Sequence, residues 1–318
     1  MDELLPALPP GAAVAVLRLR SLGDTLLLTP ALCALKAWRP DLRLAVAVEP
    51  RFAGVLAGNP DIDQVIEVPA EAAGRLRALA SLRRFRPTLV VGLHGGSTAA
   101  WLARTSGARQ RATFRGLRHG WAYNLHTPPL APPCGRARLH TVEHAASLFQ
   151  ALGLPASELG PLRLFPSPRA RERMRRRLSE RGLAGGYAFL SAEAREPGMR
   201  WPLPNFRELA AWLRRERGLA SVMASAGSGD PVEGATLVAG TTIEELIALE
   251  AEADLVVGND GGPIHIAAAL GKPTVALYST TDIAVWGPWQ APARLLQALP
   301  LAALAPEKVM AAVSELTA

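Results

Sequence analysis

Residues 255–265 read Leu-Val-Val-Gly-Asn-Asp-Gly-Gly-Pro-Ile-His, and this stretch decides the fold of the second half of the chain. Its apolar start predicts a buried strand and its glycines predict a turn. Pro263 suits the first position of a helix, where its missing N–H would be unpaired anyway. Glycines let the backbone approach a ligand, and the free N–H groups and dipole of the helix favour an anion. Because Asp260 at the rim can accept hydrogen bonds from sugar hydroxyls, we expect a phosphate beside a sugar here, as in a nucleotide sugar.

The length and composition indicate two α/β domains. A chain of 318 residues is long for one core, and 49% hydrophobic with 5% aromatic content fits buried strands and Ala- and Leu-rich helices. No apolar run approaches the roughly 20 residues of a membrane span, and the acidic, proline-broken start at 1–6 does not resemble a secretory signal. Cys33 and Cys134 give neither a metal-ligand spacing nor an indication of a disulfide. A cytoplasmic location is expected.

The net charge of +7 is unevenly distributed. Residues 1–165 hold 19 Lys and Arg against 11 Asp and Glu, whereas the remainder holds 16 against 17. This balance suggests an anionic partner for the first half: an acidic acceptor, a membrane surface or nucleic acid. No nucleic-acid-binding module is visible, so no nucleic-acid partner is expected. An arginine-rich composition can equally reflect a GC-rich genome, and this alternative stays open.

Strand and helix patterns alternate along the chain, which predicts parallel α/β sheets. Prolines interrupt the pattern at 160–167, so we expect two domains, 1–165 and 166–318. Predicted strands are 13–17, 44–48, 65–68, 89–93, 112–114, 187–191, 220–226, 237–239, 255–257 and 274–278. Predicted helices are 25–38, 52–57, 70–85, 141–152, 169–181, 231–235, 243–251 and 306–316, with a loop at 128–135. Two doubly wound domains facing a central cleft are the expected architecture, with ligands at the carboxyl ends of strands.

A second candidate site follows the first predicted strand. Residues 18–24 read Arg-Leu-Arg-Ser-Leu-Gly-Asp, which places Arg18, Arg20, Ser21 and Asp24 where such folds bind ligands. Asp24 can also be an ordinary helix cap, because Asp is a preferred residue there. His94 closes the fourth strand and is expected on the same side. No Gly-x-Gly-x-x-Gly follows the first strand, which disfavours a dehydrogenase-type dinucleotide site.

Three stretches resemble the bacterial heptosyltransferase family, glycosyltransferase family 9. They are 17–30, 48–66 and 254–289, and the last contains Asp-Gly-Gly-Pro-Ile-His at 260–265 and Trp-Gly-Pro-Trp at 286–289. The resemblance implies a GT-B fold of two Rossmann-like domains. It also implies an acceptor-binding first domain, a nucleotide-sugar-binding second domain and a last helix that crosses back to the first domain.

The resemblance further implies an inverting glycosyltransferase that moves a heptose from ADP-heptose to the inner core of lipopolysaccharide, at the inner face of the cytoplasmic membrane. Asp24 matches the general base of the family. Asp260 matches the residue that contacts the donor sugar, and Gly261, Gly262 and His265 match the helix start that binds the diphosphate. His265 can also be a satisfied core histidine.

Two departures from the family pattern concern donor binding. The family commonly has Lys-x-Trp-Pro after the first strand of the donor domain, but here Met199 replaces the lysine, so Arg200 or Arg195 would have to supply the cation that a departing diphosphate needs. A Gly-rich turn at 226–230 resembles that of the family, and Asp230 is a candidate ribose ligand, although the helix after it is shortened.

Metal chemistry is not expected, and no cofactor is predicted. Asp-Ile-Asp at 61–63 imitates the Asp-x-Asp metal motif of other glycosyltransferases, but a turn before Val65 explains it better. No other cluster has metal-ligand spacing. His140, Glu143 and His144 could bind acceptor or could lie on the surface. The competing functions are a transferase with another nucleotide-sugar donor and a catalytically weak binding or scaffold protein, which the loss of the lysine at Met199 would favour.

Overall fold

The structure is a computed structural model, and it describes residues 3–132, 136–183 and 185–317. Cys134 and the end of the predicted loop at 128–135 lie outside the described residues. The chain forms two compact units, Met1–Arg163 and Leu164–Ala318. The division between them falls inside the proline-interrupted stretch at 160–167.

The first unit is a parallel sheet with helices between its strands. Its elements are β1 (Ala13–Leu17), α1 (Leu22–Leu27), α2 (Thr29–Trp38), β2 (Arg43–Val48), α3 (Pro50–Ala53), β3 (Gln64–Glu67), α4 (Ala72–Phe85), β4 (Leu89–Gly92), α5 (Ser97–Thr105), β5 (Gln110–Phe114), β6 (Leu125–Thr127) and α6 (Thr141–Gln150). Short 3₁₀ turns cover 54–56 and 120–122.

The second unit repeats this organisation. Its elements are α7 (Pro168–Ser179), β7 (Tyr187–Ser191), α8 (Leu203–Arg217), β8 (Ala220–Ser225), β9 (Ala235–Ala239), α9 (Ile243–Glu252), β10 (Leu255–Asn259), α10 (Gly262–Ala269), β11 (Thr274–Tyr278), α11 (Ile283–Trp286), β12 (Ala293–Gln297) and α12 (Pro306–Leu316). Further 3₁₀ turns cover 197–199 and 301–303.

Both sheets have the same strand order. The first is β3-β2-β1-β4-β5-β6 and the second is β9-β8-β7-β10-β11-β12, and the paired strands are parallel. Strand order therefore reverses between β1 and β4 in one unit and between β7 and β10 in the other. In doubly wound sheets the carboxyl ends of strands at such a switch point form the ligand crevice. The topology thus selects one candidate site in each unit.

Strands at these switch points are buried on both faces. Every residue of β1, β7 and β10 is buried, as expected for parallel strands covered by helices on each side. Gly258 in β10 permits a close approach to β7, because a Cβ there would lie 2.5 Å from the Cβ of Ser191. A larger residue would push apart the two strands that frame the second site.

Several predicted elements are wrong or incomplete. The helix predicted at 25–38 is two helices, α1 and α2, and α10 begins one residue before Pro263. No helix forms at 231–235, because Gly234 adopts a left-handed φ of 84° and Ala235 already begins β9. The helices α5, α8 and α11 and the strands β6 and β12 were not predicted. The strand β12 is an edge strand with exposed positions, so it lacks the continuous apolar run that identified the others.

The last helix, α12, contributes to the core of the second unit, and its crossing back to the first unit stays a prediction. Val309, Ala312 and Val313 of α12 are buried in the core of the second unit, and α12 contacts α8, β11 and β12. The spacing of these residues forms one apolar helix stripe, and that stripe is covered by the sheet of its own unit. None of the helices in the described residues is long and apolar enough to cross a membrane.

Candidate active site

The first candidate site lies where β1 and β4 end. Residues 18–24 follow β1 and lead into α1, and His94 follows β4. Leu17 and Gly92 are partners in the register of the two parallel strands, so both connections leave the sheet at the same edge. The topology therefore brings His94 close to Arg18 and Asp24, although at least 70 positions of the chain separate His94 from either residue.

Asp24 is held by a network that leaves one side open. Arg18 donates through Nη2 to Oδ1 of Asp24, and the backbone N–H and the hydroxyl of Ser21 donate to Oδ2, each at 3.1 Å. Ser21 is the N-cap of α1, and Asp24 is its partner in a capping box rather than the cap itself. A carboxylate offers about four acceptor positions, so one remains, and 19% of the side chain is exposed.

Arg18 bridges the switch point. Its Nη1 donates to the carbonyl oxygen of Leu93 at 2.5 Å, while Nη2 holds Asp24. The side chain is 18% exposed, and the guanidinium therefore ties the end of β4 to the start of α1. The sequence predicted an acceptor-binding role for Arg18; the structure adds that it orients Asp24.

Arg20 and Glu49 form an ion pair on the rim of this site. Arg20 donates to Oε1 of Glu49, and Arg51 donates to Oε2 at 2.9 Å. Partial burial opposes ionisation of Glu49, but the hydrogen bonds from the two arginines outweigh it and lower the pKa of the carboxyl. Glu49 stays charged, so the positive charge of Arg20 is largely balanced.

Two histidines flank Arg18. Burial lowers the pKa of His94, and the charges of Arg18 and Arg20 lower it further. Burial and then Arg18 also lower the pKa of His144, whose ring packs on Phe114 with centroids 4.4 Å apart. Both rings are therefore neutral at neutral pH. A neutral imidazole can donate or accept a hydrogen bond with a sugar hydroxyl without adding charge.

His140 and Glu143, the other two candidate acceptor ligands near His144, have local structural roles. The backbone N–H of Val142 donates to Nδ1 of His140 at 3.2 Å, so this ring caps α6. Glu143 accepts from Arg136 at 2.7 and 2.6 Å and completes a capping box. Of the three, only His144 is brought to the site.

The second candidate site lies where β7 and β10 end. Asn259, the last residue of β10, is fully buried. Its Oδ1 accepts from the backbone N–H of Trp201 at 3.0 Å, and its Nδ2 donates to the carbonyl oxygen of Ala192 at 2.7 Å. This one amide therefore links the strand end that precedes Asp260 to the loop after β7. Sequence reasoning assigned no role to Asn259, although it adjoins the motif.

Asp260 is partly buried beside a hydroxyl donor. Thr281 donates to Oδ2 of Asp260 at 2.6 Å, and Gln297 fixes the Thr281 loop by donating to the carbonyl oxygens of Ser279 and Thr281 at 2.9 and 3.1 Å. Burial raises the pKa of Asp260, and the Thr281 bond and the charge of Arg195 offset only part of that rise. The other oxygen, Oδ1, is left for a ligand.

Gly261, Gly262 and His265 occupy the start of α10. Gly261 is the N-cap, and Gly262 opens the helix, followed by Pro263. His265 lies in the first turn and is 4% exposed. Because the first N–H groups of a helix have no partners within it, this end can bind an anion. The predicted strand–turn–helix arrangement is confirmed, and the burial of His265 keeps both interpretations of its role open.

Arg195, Met199 and Arg200 lie in the loop after β7. Met199 is buried at 7% exposure, so the position that departs from the family pattern packs into the protein. Arg200 is exposed and donates to the carbonyl oxygen of Ala194 at 3.3 Å. Arg195 is 82% exposed, and its charge acts on the pKa of Asp260. Of the two arginines, Arg195 is thus the one within electrostatic range of Asp260.

The sequence also singled out Asp230 and the Asp-x-Asp stretch at 61–63. Asp230 is exposed in the loop after β8, and its ribose contact stays a prediction. Asp61 pairs with Arg163 at 2.9 Å, and Asp63 accepts from Lys36 at 3.0 Å and from the N–H of Leu44 at 2.7 Å. The two carboxylates thus hold local structure. No group of three or more His, Cys, Asp or Glu side chains among the described residues is placed to hold a metal ion.

Solved structures with the same fold are found among glycosyltransferases. A glycosyl transferase family 9 structure from Veillonella parvula superposes with a TM-score of 0.85 at 21% identity, covering 96% of this chain and 97% of the other. The ADP complex of E. coli heptosyltransferase WaaC gives 0.76 at 21% identity, covering 96% and 99%. The fold with its two switch-point sites therefore defines a GT-B protein, as predicted.

Sequence comparison identifies the family. The profile described as glycosyltransferase family 9 (heptosyltransferase) matches residues 75–309. Lipopolysaccharide heptosyltransferase 3 of Escherichia coli K12 is 28% identical over 290 residues, which span 84% of this chain and 82% of that protein. Lipopolysaccharide heptosyltransferase 1 of Salmonella typhimurium is 25% identical over 85% of this chain and 89% of its own. The chain belongs to glycosyltransferase family 9, which confirms the resemblance inferred from its motifs.

Proposed function

We propose that this protein is an inverting glycosyltransferase that moves a heptose from ADP-heptose to an inner-core acceptor of lipopolysaccharide. The observation that carries the proposal is the pair of switch-point sites: an oriented carboxylate at one, and a glycine turn with a helix start at the other. The names of its relatives support heptose, ADP and lipopolysaccharide as the substrates.

Asp24 acts as the general base. An acceptor hydroxyl bonds to the open position of the carboxylate, transfers its proton there, and attacks the anomeric carbon of the donor as the bond to ADP breaks. Attack opposite the leaving group inverts the configuration. Arg18 and Ser21 hold the carboxylate in place, which matters because a base must lie within hydrogen-bond reach of the proton it takes.

The donor binds to the second unit. Asp260 accepts hydrogen bonds from the sugar through Oδ1, and Asp230 accepts from the ribose. Gly261, Gly262 and His265 present the start of α10 to the diphosphate. Of the two candidates, Arg195 rather than Arg200 replaces the missing lysine, since a positive group near a leaving diphosphate stabilises the charge that develops there. This arrangement needs no metal ion and no other cofactor.

The acceptor binds to the first unit through Arg18, Arg20, Ser21 and His94, together with His144, which the sequence left open between an acceptor ligand and a surface position. The acceptor is an anionic glycolipid, which agrees with the positive balance of this half of the chain. The protein works in the cytoplasm, in peripheral contact with the inner face of the membrane. A transferase for another nucleotide sugar and a weakly active binding protein are the competing functions, because a buried Met199 cannot contact a diphosphate.

One experiment separates these functions. Calorimetry would measure binding of ADP-heptose, UDP-glucose and GDP-mannose, and a coupled assay would measure release of ADP with a lipopolysaccharide-core acceptor. Binding and turnover with ADP-heptose support the proposal. Turnover with a different nucleotide sugar favours the second function, and binding without turnover favours the third. A product that retains the anomeric configuration, read by NMR, contradicts inversion.

The two arginines should differ in their effect on ADP affinity. We expect Arg195→Ala to raise the Kd for ADP about five- to tenfold, since an exposed charge–phosphate contact is partly screened, and Arg200→Ala to change it less than twofold. Calorimetry at low and high salt measures both variants, and the Arg195 effect should shrink as salt rises. Equal effects of the two variants would contradict the assignment of Arg195.

Donor recognition by Asp260 should depend on its charge. Asp260→Asn should lower kcat/KM for the donor about 10- to 100-fold, because the hydrogen bond from the sugar then goes to a neutral oxygen and loses its charge assistance. Asp254→Asn is a matched control, since Asp254 lies immediately before the first residue of β10, at the end of the strand away from Asp260. Activity within twofold of wild type for both variants would exclude the sugar contact.

Donor binding should also depend on pH through the carboxyl group of Asp260. Because burial raises the pKa of Asp260, its carboxyl takes up a proton at a higher pH than an ordinary Asp does. Acidification should therefore weaken donor binding by the wild type while most other carboxylates are still ionised. The Asp260→Asn variant should not show this loss of donor affinity. Calorimetric titrations across the acidic range measure it, and the same loss in the variant would contradict the prediction.

A further inference from the structure

The half of the first unit from α4 to β6 is unusually positive. Residues 72–142 contain twelve arginines and neither Asp nor Glu. The segment contains α4, β4, α5, β5 and β6, so its positive charge lies in one part of the first unit. A uniform arginine enrichment of the whole chain would not produce such a gap in acidic residues.

The two helices and the turn at 120–122 form one layer. Buried residues of α4, of α5 and of this turn belong to a single core cluster with alternate residues of β1, Ala13, Ala15 and Leu17. Alternate residues of a strand point to the same side of a sheet, so the three elements cover one face. Their outward side chains therefore share one surface, the basic face: Arg75, Leu76, Arg77, Arg83, Arg84, Trp101, Arg104 and Trp121.

This surface also carries large exposed apolar side chains. Trp121 is 70% exposed and Leu76 is 60% exposed. Leu76, Trp101 and Arg75 line an open pocket of about 450 Å³ with Ala72, Ser97 and Thr98. The basic face thus combines guanidinium groups with an aliphatic and two aromatic side chains. Such a mixture is typical of surfaces that lie at the boundary of lipid headgroups and acyl chains.

Among the described residues, the arginines of the basic face have almost no carboxylate partners. In the described part of the chain, Arg77 alone among them has a carboxylate within ion-pairing distance, Glu71 at 3.8 Å. The contrast is α7, which is as rich in arginine: Arg171 and Arg175 pair with Glu252, and Arg177 pairs with Glu245. Several arginines of α7 are therefore balanced by carboxylates, whereas those of the basic face are nearly uncompensated.

We infer that the basic face docks the protein on an anionic phospholipid bilayer, with Trp121 and Leu76 entering the interface and Arg75 and Arg84 contacting lipid phosphates. This inference rests on the proposed function, since a transferase that acts on a lipid-linked acceptor has to reach the membrane that holds it. A bilayer fits better than nucleic acid because an exposed leucine gains from contact with acyl chains and gains nothing from a phosphate backbone. Ser97 follows His94 closely, so docking would present the bilayer near the acceptor side of the fold.

Vesicle co-sedimentation tests the inference. Vesicles of phosphatidylcholine with 30 mol% phosphatidylglycerol should bind the full-length protein more tightly than pure phosphatidylcholine, since each arginine near an anionic surface contributes about fivefold. The double variant Arg75→Glu/Arg84→Glu should bind at least about tenfold more weakly, and Trp121→Ala/Leu76→Ala should bind more weakly at every salt concentration. Matched controls are Arg214→Glu and Leu299→Ala, which alter an exposed arginine and a 74% exposed leucine of the second unit.

The outcomes are separable from those of the proposed function. Loss of vesicle binding in both double variants, with ADP affinity unchanged by calorimetry and controls like wild type, supports docking. Vesicle binding equal to wild type in either double variant overturns it, whatever the transferase activity. An equal loss of vesicle binding in the two control variants also overturns it, because the effect would then not depend on the basic face. Tighter binding to a mixed-sequence RNA than to the anionic vesicles, abolished by the same substitutions, assigns the face to nucleic acid instead. Failure to bind ADP would count against the proposed function alone.

Discussion

Asp24→Asn should lower kcat about 10²- to 10⁴-fold, which is the range that a general base contributes, while the affinity for ADP stays within twofold. The asparagine keeps the size of the side chain, and its oxygen can still accept from the Ser21 N–H that Asp24 binds. It cannot take a proton from the acceptor. A steady-state assay with saturating donor and acceptor, together with calorimetry of ADP, measures the two effects separately.

The control must distinguish catalysis from capping, because Asp24 also stabilises the start of α1. Glu245 has the same place in the capping box of α9, so Glu245→Gln tests the loss of such a contact together with weaker ion pairs to Arg173 and Arg177. Removing a cap typically costs about 0.5–2 kcal/mol of stability. If Asp24→Asn loses only as much activity as Glu245→Gln does, Asp24 is structural and the mechanism is wrong.

Trp201→Ala should destabilise the second unit by about 3–5 kcal/mol, the usual cost of deleting a buried aromatic ring. Trp201 is 1% exposed, its Nε1 donates to the carbonyl oxygen of Leu304 at 2.8 Å, and its ring meets Phe206 edge-on with centroids 4.9 Å apart. The backbone N–H of Trp201 is also the group that binds Asn259. If the protein collapses into the cavity left by the missing ring, the contact with Asn259 shifts, and ADP binding should weaken as well.

Urea denaturation monitored by circular dichroism measures this loss, with the unfolding of each unit fitted separately because two units need not unfold together. Trp201→Phe should cost less, since it keeps most of the apolar area and loses the bond to Leu304. Trp121→Ala is the surface control and should stay within about 0.5 kcal/mol of wild type. A Trp201→Ala transition at the wild-type urea concentration would show that this ring does not support the donor unit.

The comparison of sequence and structure is most instructive at the two motifs. The strand–turn–helix at 255–265 was predictable because an apolar run, glycines and a proline each constrain the backbone locally. The position of Asp24 after β1 was predictable for the same reason. What the sequence could not give were the partners. Nothing in the spacing of Arg18, Leu93 and Asp24 indicates that one guanidinium holds the other two, because the pairing of β1 with β4 brings them together.

Elements were missed where local signals are weak. The strand β12 is exposed at the sheet edge, and β6 has only three residues, so neither presents a buried apolar run. The helix predicted at 231–235 failed on a single glycine with positive φ. The residues that cover the apolar stripe of α12 could not be predicted either, because they come from α8, β11 and β12, which are distant in the chain or lie across a loop.

The sequence by itself determined the α/β class, the doubly wound pattern, the family and the identities of Asp24 and Asp260 as candidate site residues. The fold class and its pattern follow from short-range chemistry, namely which residues turn, cap and bury, whereas the family and the roles of the two aspartates follow from the resemblance of the motifs. The tertiary structure alone decided that Arg18 orients Asp24, that Asn259 joins two loops, that Met199 is buried while Arg195 acts on Asp260, and that uncompensated arginines share a face with Trp121. Each depends on contacts between residues distant in the chain, and strand order rather than local sequence fixes those contacts.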